Sequence, residues 1–361
     1  MHFGEPLDDD RLAALLQPGD GIDTLLTADV YGQGEADLVV GRALDGLSRD
    51  DYFLVGAVGH DFYEGERDGP RGFPRFTDPS LRSESAYRDY LRMATERSLE
   101  RCGVDHFDLL LLHNPDRIGF TSPAVWEGME ALRSAGLARQ LGVAPGPANG
   151  FTLDLISCFE RFGDSIDYGM IILNPMEPWP GELVLDAAAT AAVKLIARVV
   201  DYGGLFWDDV LPGHQFRQGD HRNFRPDGWV EAGREKLERM RPIADSHGLT
   251  MIQLAAQWVL SQSPVVTTVP TLIQEAGDDA RPVEEKRAEL AATPREHVLP
   301  AEDADLIAAI GDNTGCMALK GASPEHEGEP RPDRWGMTPE LEQVAERWGI
   351  EPEVDLRQVA A

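Results

Sequence analysis

One large α/β domain built on a parallel sheet is the fold class this sequence predicts, and three observations predict it. Short apolar runs alternate with amphipathic helical stretches along most of the chain. Strand followed by helix, repeated, means parallel strands joined by crossover helices. The apolar runs are nearly continuous, as in Phe107–His113 (FDLLLLH), which is how strands buried on both faces read. A length of 361 residues with 42% hydrophobic content suits a single core of barrel size. Together these give a TIM (β/α)8-type barrel.

The strands predicted in order are Ile22–Thr27, Tyr52–Val58, Phe107–His113, Gln140–Ala144, Tyr168–Leu173, Val193–Val199 and Val265–Val269. Helical spacing appears at Asp8–Leu16, where Asp8 or Asp9 can cap, and at Tyr87–Cys102, where Tyr90, Leu91, Ala94 and Leu99 share a face. It recurs at Pro123–Ala135, Asp186–Ala192 and the pair Val230–Ser246 and Thr250–Ser261. Seven strands are one short of a closed barrel. The missing one should precede Ile22, so the first barrel strand is expected to be absent. Leu211–Gly228 has little periodicity and follows a strand, so it should lie over the barrel mouth. The expected division is a barrel over residues 1–314 and an extension over 315–361, which carries a short helix at Pro339–Trp348. The extension should pack on the barrel or on a neighbouring subunit.

The formal net charge is −30 and the isoelectric point about 4.5. Such a field repels nucleic-acid backbones and anionic lipid surfaces, so neither is an expected partner. No apolar run approaches the ~18 residues of a membrane span, and Met1-His2-Phe3-Gly4 opens no apolar signal core. A cytoplasmic location is expected. Cys102, Cys158 and Cys316 are dispersed, odd in number and form no CxxC pair, so reduced core thiols are expected and a zinc site is not.

Barrel active sites form where the strands end at the carboxyl face. His113 closes the four-leucine run Leu109–Leu112 and is suited to proton transfer near neutral pH. Tyr31 stands at a strand-to-helix turn before Gly32. Its hydroxyl can donate a proton if a cation lowers its pKa. His60 and Asp61 follow the second strand and complete the candidate catalytic set. Asp29, Asn114, Asn174, Arg198 and Asp201 end other strands and are candidate substrate-binding residues. The loop residues His214, His221 and Arg222 suggest a polar or anionic ligand. Metal-ligand spacing is absent, and so are the familiar glycine-rich phosphate loops. Four lysines stand against 29 arginines, and the first lysine is Lys194.

The stretch TADVYGQGE from Thr27 resembles the DTADVYGxGxSE signature of the aldo-keto reductases. FDLLLLHNPD from Phe107 resembles that family's DLYLLHxPD, Arg139-Gln-Leu-Gly-Val its RaiGVSNF, and Gly203-Gly-Leu-Phe its xGLL. The likeness runs from about Phe3 to about Gly311, and Met1–Gly4 is similar to the residues just after the family's first barrel strand. The resemblance implies NAD(P)H-dependent carbonyl reduction, with the catalytic tyrosine at Tyr31 and the catalytic histidine at His113. The family's catalytic aspartate falls on Leu26 and its lysine on Ala57. Its nicotinamide-amide Ser-Asn pair falls on Ala144-Pro145 and the companion glutamine on Met170. Arg198 takes the position that packs on the nicotinamide, and Asp201 falls beside the pyrophosphate, where its charge would repel it. Arg198 and Gly204 are the cofactor-binding candidates if a dinucleotide binds.

These losses favour a barrel enzyme that binds no cofactor. Tyr31 and His113 would then perform elimination, isomerisation or epimerisation next to a carbonyl, on a small carbonyl or hydroxy substrate. The first alternative is an NAD(P)H-dependent carbonyl oxidoreductase with an altered catalytic tetrad, using NADP. The second is a non-catalytic binding or scaffold subunit, because an open sheet edge invites a partner chain and raises the odds of a homo-oligomer.

Overall fold

The computed structural model describes residues 3–68, 72–146, 151–225, 227–277, 280–314 and 337–356. Helix α1 (Asp9–Leu16) comes first, then β1 (Thr24–Leu26), α2 (Glu35–Leu44), β2 (Phe53–Val58) and α3 (Tyr87–Cys102). Next are β3 (Phe107–His113), α4 (Arg117–Thr121), α5 (Pro123–Ser134), β4 (Ala138–Ala144) and α6 (Thr152–Phe162). They are followed by β5 (Tyr168–Ile172), α7 (Leu185–Thr190), β6 (Lys194–Arg198), α8 (Trp229–Ser246), α9 (Met251–Leu260) and β7 (Val265–Val269). Helices α10 (Val283–Ala291), α11 (Ala301–Gly311) and α12 (Pro339–Trp348) complete the main elements.

All seven strands are parallel and pair in sequence order, leaving β1 and β7 as the edges among the described residues. The seven strands foreseen are therefore the seven present. The sheet has two apolar layers. Alternate residues Leu110, Leu112, Val143, Leu195 and Ala197 face the helices. Ala28, Val55, Ala57, Leu109, Leu111, Ala144, Met170 and Ile196 face inward and fill the barrel. Side chains alternate across a strand, so both layers come from the same runs. β3 is buried at every one of its seven positions.

Local signals set the helix ends. Asp8 caps α1, accepting from the Arg11 N–H at 2.8 Å. Gly103 (φ 70°) ends α3 in the left-handed conformation that glycine tolerates. Thr250 and Gln253 form a reciprocal capping box at α9. Before α1, the Gly4 N–H donates to Asp220 Oδ2 at 2.7 Å and the Glu5 N–H to Gln274 O at 2.7 Å. The N-terminal peptide thus crosses the carboxyl end of the β7 edge. Arg11 then ties α1 to α10 through both oxygens of Glu284. Helix α12 returns to α6, where Arg347 and Trp348 both bond Glu160.

Helices α2, α4, α6, α10 and α11 were not foreseen. Several strand ends are one or two residues shorter than their apolar runs. Cys102 and Cys158 are buried free thiols. Cys316 and the stretch Gly315–Arg334 lie outside the described residues. No helix among the described residues is long and apolar enough to cross a membrane.

Leu110 sits fully buried in β3. Leu110→Ala should destabilise the protein by about 3 kcal/mol, the usual size for a leucine deleted from a packed core. Urea unfolding reads this as a lower midpoint at unchanged slope.

Candidate active site

Tyr31 and His113 meet at the carboxyl end of the sheet. The Tyr31 N–H bonds Ala28 O at 2.9 Å, and the turn Tyr31–Gly34 then takes three left-handed residues, Gly32, Gln33 and Gly34. This curl leaves the tyrosine side chain 48% exposed at the mouth. Its ring meets the His113 ring edge-on, centroids 5.6 Å apart. His113 is the last inward residue of β3, one layer above Leu111. Its position depends on Gly59, because a Cβ there would lie 2.4 Å from His113 O.

His60 stands on the other side of His113, rings 5.1 Å apart. Its Nδ1 lies 3.1 Å from Phe73 O and its Nε2 3.2 Å from Asn114 Nδ2. A carbonyl needs a donor and an amide nitrogen needs an acceptor, so these two bonds favour the tautomer with the proton on Nδ1, while the longer Arg75 contact would need Nδ1 to accept. Asn114 adopts φ 47°, and its carbonyl accepts from Arg75 Nε. Arg75 Nη1 also lies 3.3 Å from His60 Nδ1. Burial, then the charge of Arg75, lowers His60 to about 4. Burial, then His60, Arg198 and Arg75, holds His113 well below the usual histidine range. Both imidazoles are neutral at physiological pH. His60 is 8% exposed and meets the site as a ring packed against His113.

Arg198 ends β6 on its inward face, above Ile196. Its Nη2 donates to Pro145 O at 3.1 Å. Burial raises the Tyr31 phenol, and the Arg198 charge opposes that rise. Beneath these groups the floor is apolar: Leu26 and Ala57 join the inner cluster where the family's aspartate and lysine were expected. The described lysines are engaged elsewhere. Lys194 lies over the Tyr168 ring, Lys236 bonds Gly311 O and Asp312 O, and Lys286 pairs with Asp209.

Four candidates need correction. Asp29 follows inward Ala28 and so points the other way, behind the barrel wall toward Asp37, where burial raises it well above the usual carboxylate range. Asp61 is buried and pairs with Arg82 while accepting from the Tyr63 and Glu64 N–H groups, so it braces the loop after β2. Asn174 donates to Val199 O and accepts from the Met176 N–H. Asp201 accepts from the Thr271 and Gly204 N–H groups at 2.7 and 2.9 Å. Its carboxylate therefore stitches two loops together. Asn114 stands at the mouth as the partner of His60. Gly204 (φ 99°) sits in the loop that Asp201 holds.

The loop Leu211–Gly228 contributes differently from expectation. Arg222 is buried in fork-shaped ion pairs with Asp220 and Glu275, so it is an internal tie. Arg225, missed in the sequence, reaches the mouth. Its guanidinium lies over Gly203, where a Cβ would come within 1.9 Å of Nη1, and 4.2 Å from the Trp229 ring centre. Nε and Nη1 are buried without a hydrogen-bond partner, and burial pushes Arg225 down to about 10. Arg75 was missed too. Both come from aperiodic loops, and their only sequence signal is an arginine beside aromatic residues.

A model of the aldo/keto reductase family matches residues 8–278. The chain belongs to that family. It is 25% identical over 285 residues to D-threo-aldose 1-dehydrogenase of a Pseudomonas species, covering 73% of this chain and 79% of that one. It is 27% identical over 292 residues to methylglyoxal reductase YeaE of Escherichia coli strain K12, covering 78% and 81%. A solved aldo-keto reductase of Klebsiella pneumoniae in complex with NADPH shares the fold. The TM-score is 0.55 at 20% identity, covering 91% of this chain and 89% of that one.

These relatives overturn the expectation of cofactor-independent lyase or isomerase chemistry, and with it the expectation of no cofactor. They are a dehydrogenase and a reductase, and the solved relative holds NADPH. The physical reason for the error lies in the contacts counted as lost. Asp201 spends its carboxylate on two backbone N–H groups, and Arg225 adds a cation that no motif announced.

The neutral histidines give a pH dependence. Unfolded His60 takes up a proton near 6.5, and folded His60 only near 4. Its contribution is complete above about pH 6.5 and is lost as pH falls toward 4, because the unfolded chain binds more protons in that window. That loss is about 3 kcal/mol. His60→Gln should flatten the decline in unfolding free energy between pH 6.5 and 4.5, measured by urea titration. An unchanged slope would refute the neutral, buried His60.

Proposed function

We propose that this protein is an NAD(P)H-dependent oxidoreductase acting on a small carbonyl compound, or in reverse on the corresponding alcohol. The observation that carries this is the edge-on meeting of Tyr31 and His113 above the apolar floor of the barrel. A neutral imidazole and a phenol converging there can share one substrate oxygen.

The mouth fits a dinucleotide best at its phosphate end. Arg225 offers a buried guanidinium with unpartnered Nε and Nη1, seated against Gly203 where a side chain would exclude it. An anion there would satisfy the hydrogen bonds and offset the desolvated charge. At the other end Arg198 and Pro145 O border the site. Ala144 is buried in the inner cluster and offers no hydrogen-bonding side chain, so the fit there differs from the family pattern. NADP(H) is the proposed cofactor, and when bound it supplies or takes up a hydride.

The protein's own residues do the rest. Tyr31 gives a proton to the carbonyl oxygen, the bond from phenol oxygen to hydrogen breaking as that to the substrate forms. His113, kept neutral, holds the same oxygen through a ring N–H and does not compete for the proton. His60 and Asn114 hold His113 in place. The apolar floor excludes water from below.

Titration of the protein with NADPH, followed by cofactor fluorescence, should give a micromolar dissociation constant. Arg225→Gln should weaken it by about tenfold to a hundredfold, the worth of a charge-assisted contact. No saturable binding would overturn the proposal. Tyr31→Phe should keep that affinity while lowering kcat by about a hundredfold or more. Screening aldehydes, ketones and sugars for NADPH consumption supplies the substrate for that measurement.

A further inference from the structure

The site has a phenol to act as acid and no ammonium to support it. Tyr31 is half exposed, but the partial burial of its phenol still opposes formation of a phenolate. The family resemblance implies a lysine at Ala57, but Ala57 is buried in the apolar floor with Val55, Leu111 and Ile196. A phenol in that setting is a weak acid unless another cation reaches it.

Arg198 is placed to be that cation. Strand alternation puts its side chain inward, one layer above the floor, at the level of His113. Among the described residues its one hydrogen bond is Nη2 to Pro145 O, and no carboxylate lies within ion-pair distance. Glu177 favours the charged form of Arg198 from beyond ion-pair distance, but a guanidinium held over apolar side chains with no paired carboxylate is still costly. Its field is weakly screened by such a floor, so it acts strongly on whatever forms a charge nearby. Coupling runs both ways. Arg198 opposes the rise of Tyr31, and Tyr31 in turn favours the charged form of Arg198. The same charge disfavours protonation of His113, which leaves the phenol as the proton donor.

We propose that Arg198 does the work of the missing ammonium: its guanidinium stabilises the phenolate left when Tyr31 gives its proton to the substrate oxygen. The electron pair of the broken bond stays on the phenol oxygen. Solvent returns the proton, through the half of the Tyr31 surface that is open to the mouth. Arginine suits the role because it keeps its charge where a buried lysine would lose it. The assignment concerns the same site as the oxidoreductase reading and rests on it only for the reaction.

The test is the ionisation of Tyr31, which needs neither cofactor nor substrate. Phenolate absorbance is followed against pH in wild type and in Tyr31→Phe, and the difference isolates Tyr31 from the other tyrosines. The same pair of curves is then collected on Arg198→Gln and Arg198→Lys backgrounds, with circular dichroism confirming the fold of each. Arg198→Gln should move the Tyr31 curve upward by about one pH unit or more, a tenfold weaker acid. Arg198→Lys should restore most of the shift. With substrate in hand, the pH profile of kcat should move with the phenol while KM changes little. Superimposable Tyr31 curves for wild type and Arg198→Gln would overturn the assignment. Absence of NADPH binding would overturn the oxidoreductase reading and leave this titration still decisive for Arg198.

Discussion

The low dielectric of the barrel interior is the constraint on which the site depends. Eight inward side chains, from Ala28 to Ile196, make a dry floor with no charge in it. Every ionisable group above that floor is pushed toward its neutral form: His60 and His113 down, Tyr31 up, Arg198 down. For the histidines this is helpful, because a neutral imidazole can donate a hydrogen bond without taking the proton. For the phenol it is a penalty. The same medium that imposes the penalty strengthens the field of a nearby guanidinium. Replacing the aspartate and lysine of the family pattern by Leu26 and Ala57 thus does not by itself silence the site. It removes two charges from a place where charges are costly and leaves Arg198 as the cation above the floor.

Geometry at the rim is held by backbone as much as by side chains. Gly59 allows β2 to approach His113 O closely, and the left-handed run Gly32–Gly34 aims Tyr31. Asp201 pulls the loops after β6 and β7 together by accepting two N–H bonds. The Asp220–Arg222–Glu275 tie pins the loop that carries Arg225, and Asp220 also accepts from Gly4. A carboxylate near a ligand site can hold the scaffold rather than contact the ligand, and Asp61, Asp201 and Glu275 all do so.

The sequence disclosed the strands because each is buried on both faces and reads as an apolar run. It disclosed His113 because a histidine closing four leucines has only the strand end to occupy. Tyr31 was legible from its turn and its motif. Other positions were illegible for identifiable reasons. Asp29, Asp61, Asn174 and Asp201 also end strands, but a strand end has two faces, and loop residues after it follow no alternation. Asp29 is one residue past inward Ala28, and that single step sends it behind the wall. Arg75 and Arg225 sit in loops, where no period marks a side chain as pointing anywhere. The five unforeseen helices run from five to eleven residues, and their apolar periods are too brief to stand out from the flanking loops.

The failed cofactor expectation has the same origin. It treated binding as a sum of recognisable side chains, so each departure from the family pattern counted as affinity lost. Binding at a barrel mouth also draws on backbone groups and on loop cations that no motif encodes. In a chain of net charge −30, Arg75, Arg198 and Arg225 converge on one end of the barrel. An acidic surface would repel an anionic ligand at long range, but screening confines that repulsion to about a Debye length, ~8 Å at physiological salt. Two of the arginines at the mouth, Arg198 and Arg225, carry desolvated charge. Local charge therefore outweighs net charge at the one place where a phosphate or a developing oxyanion would sit.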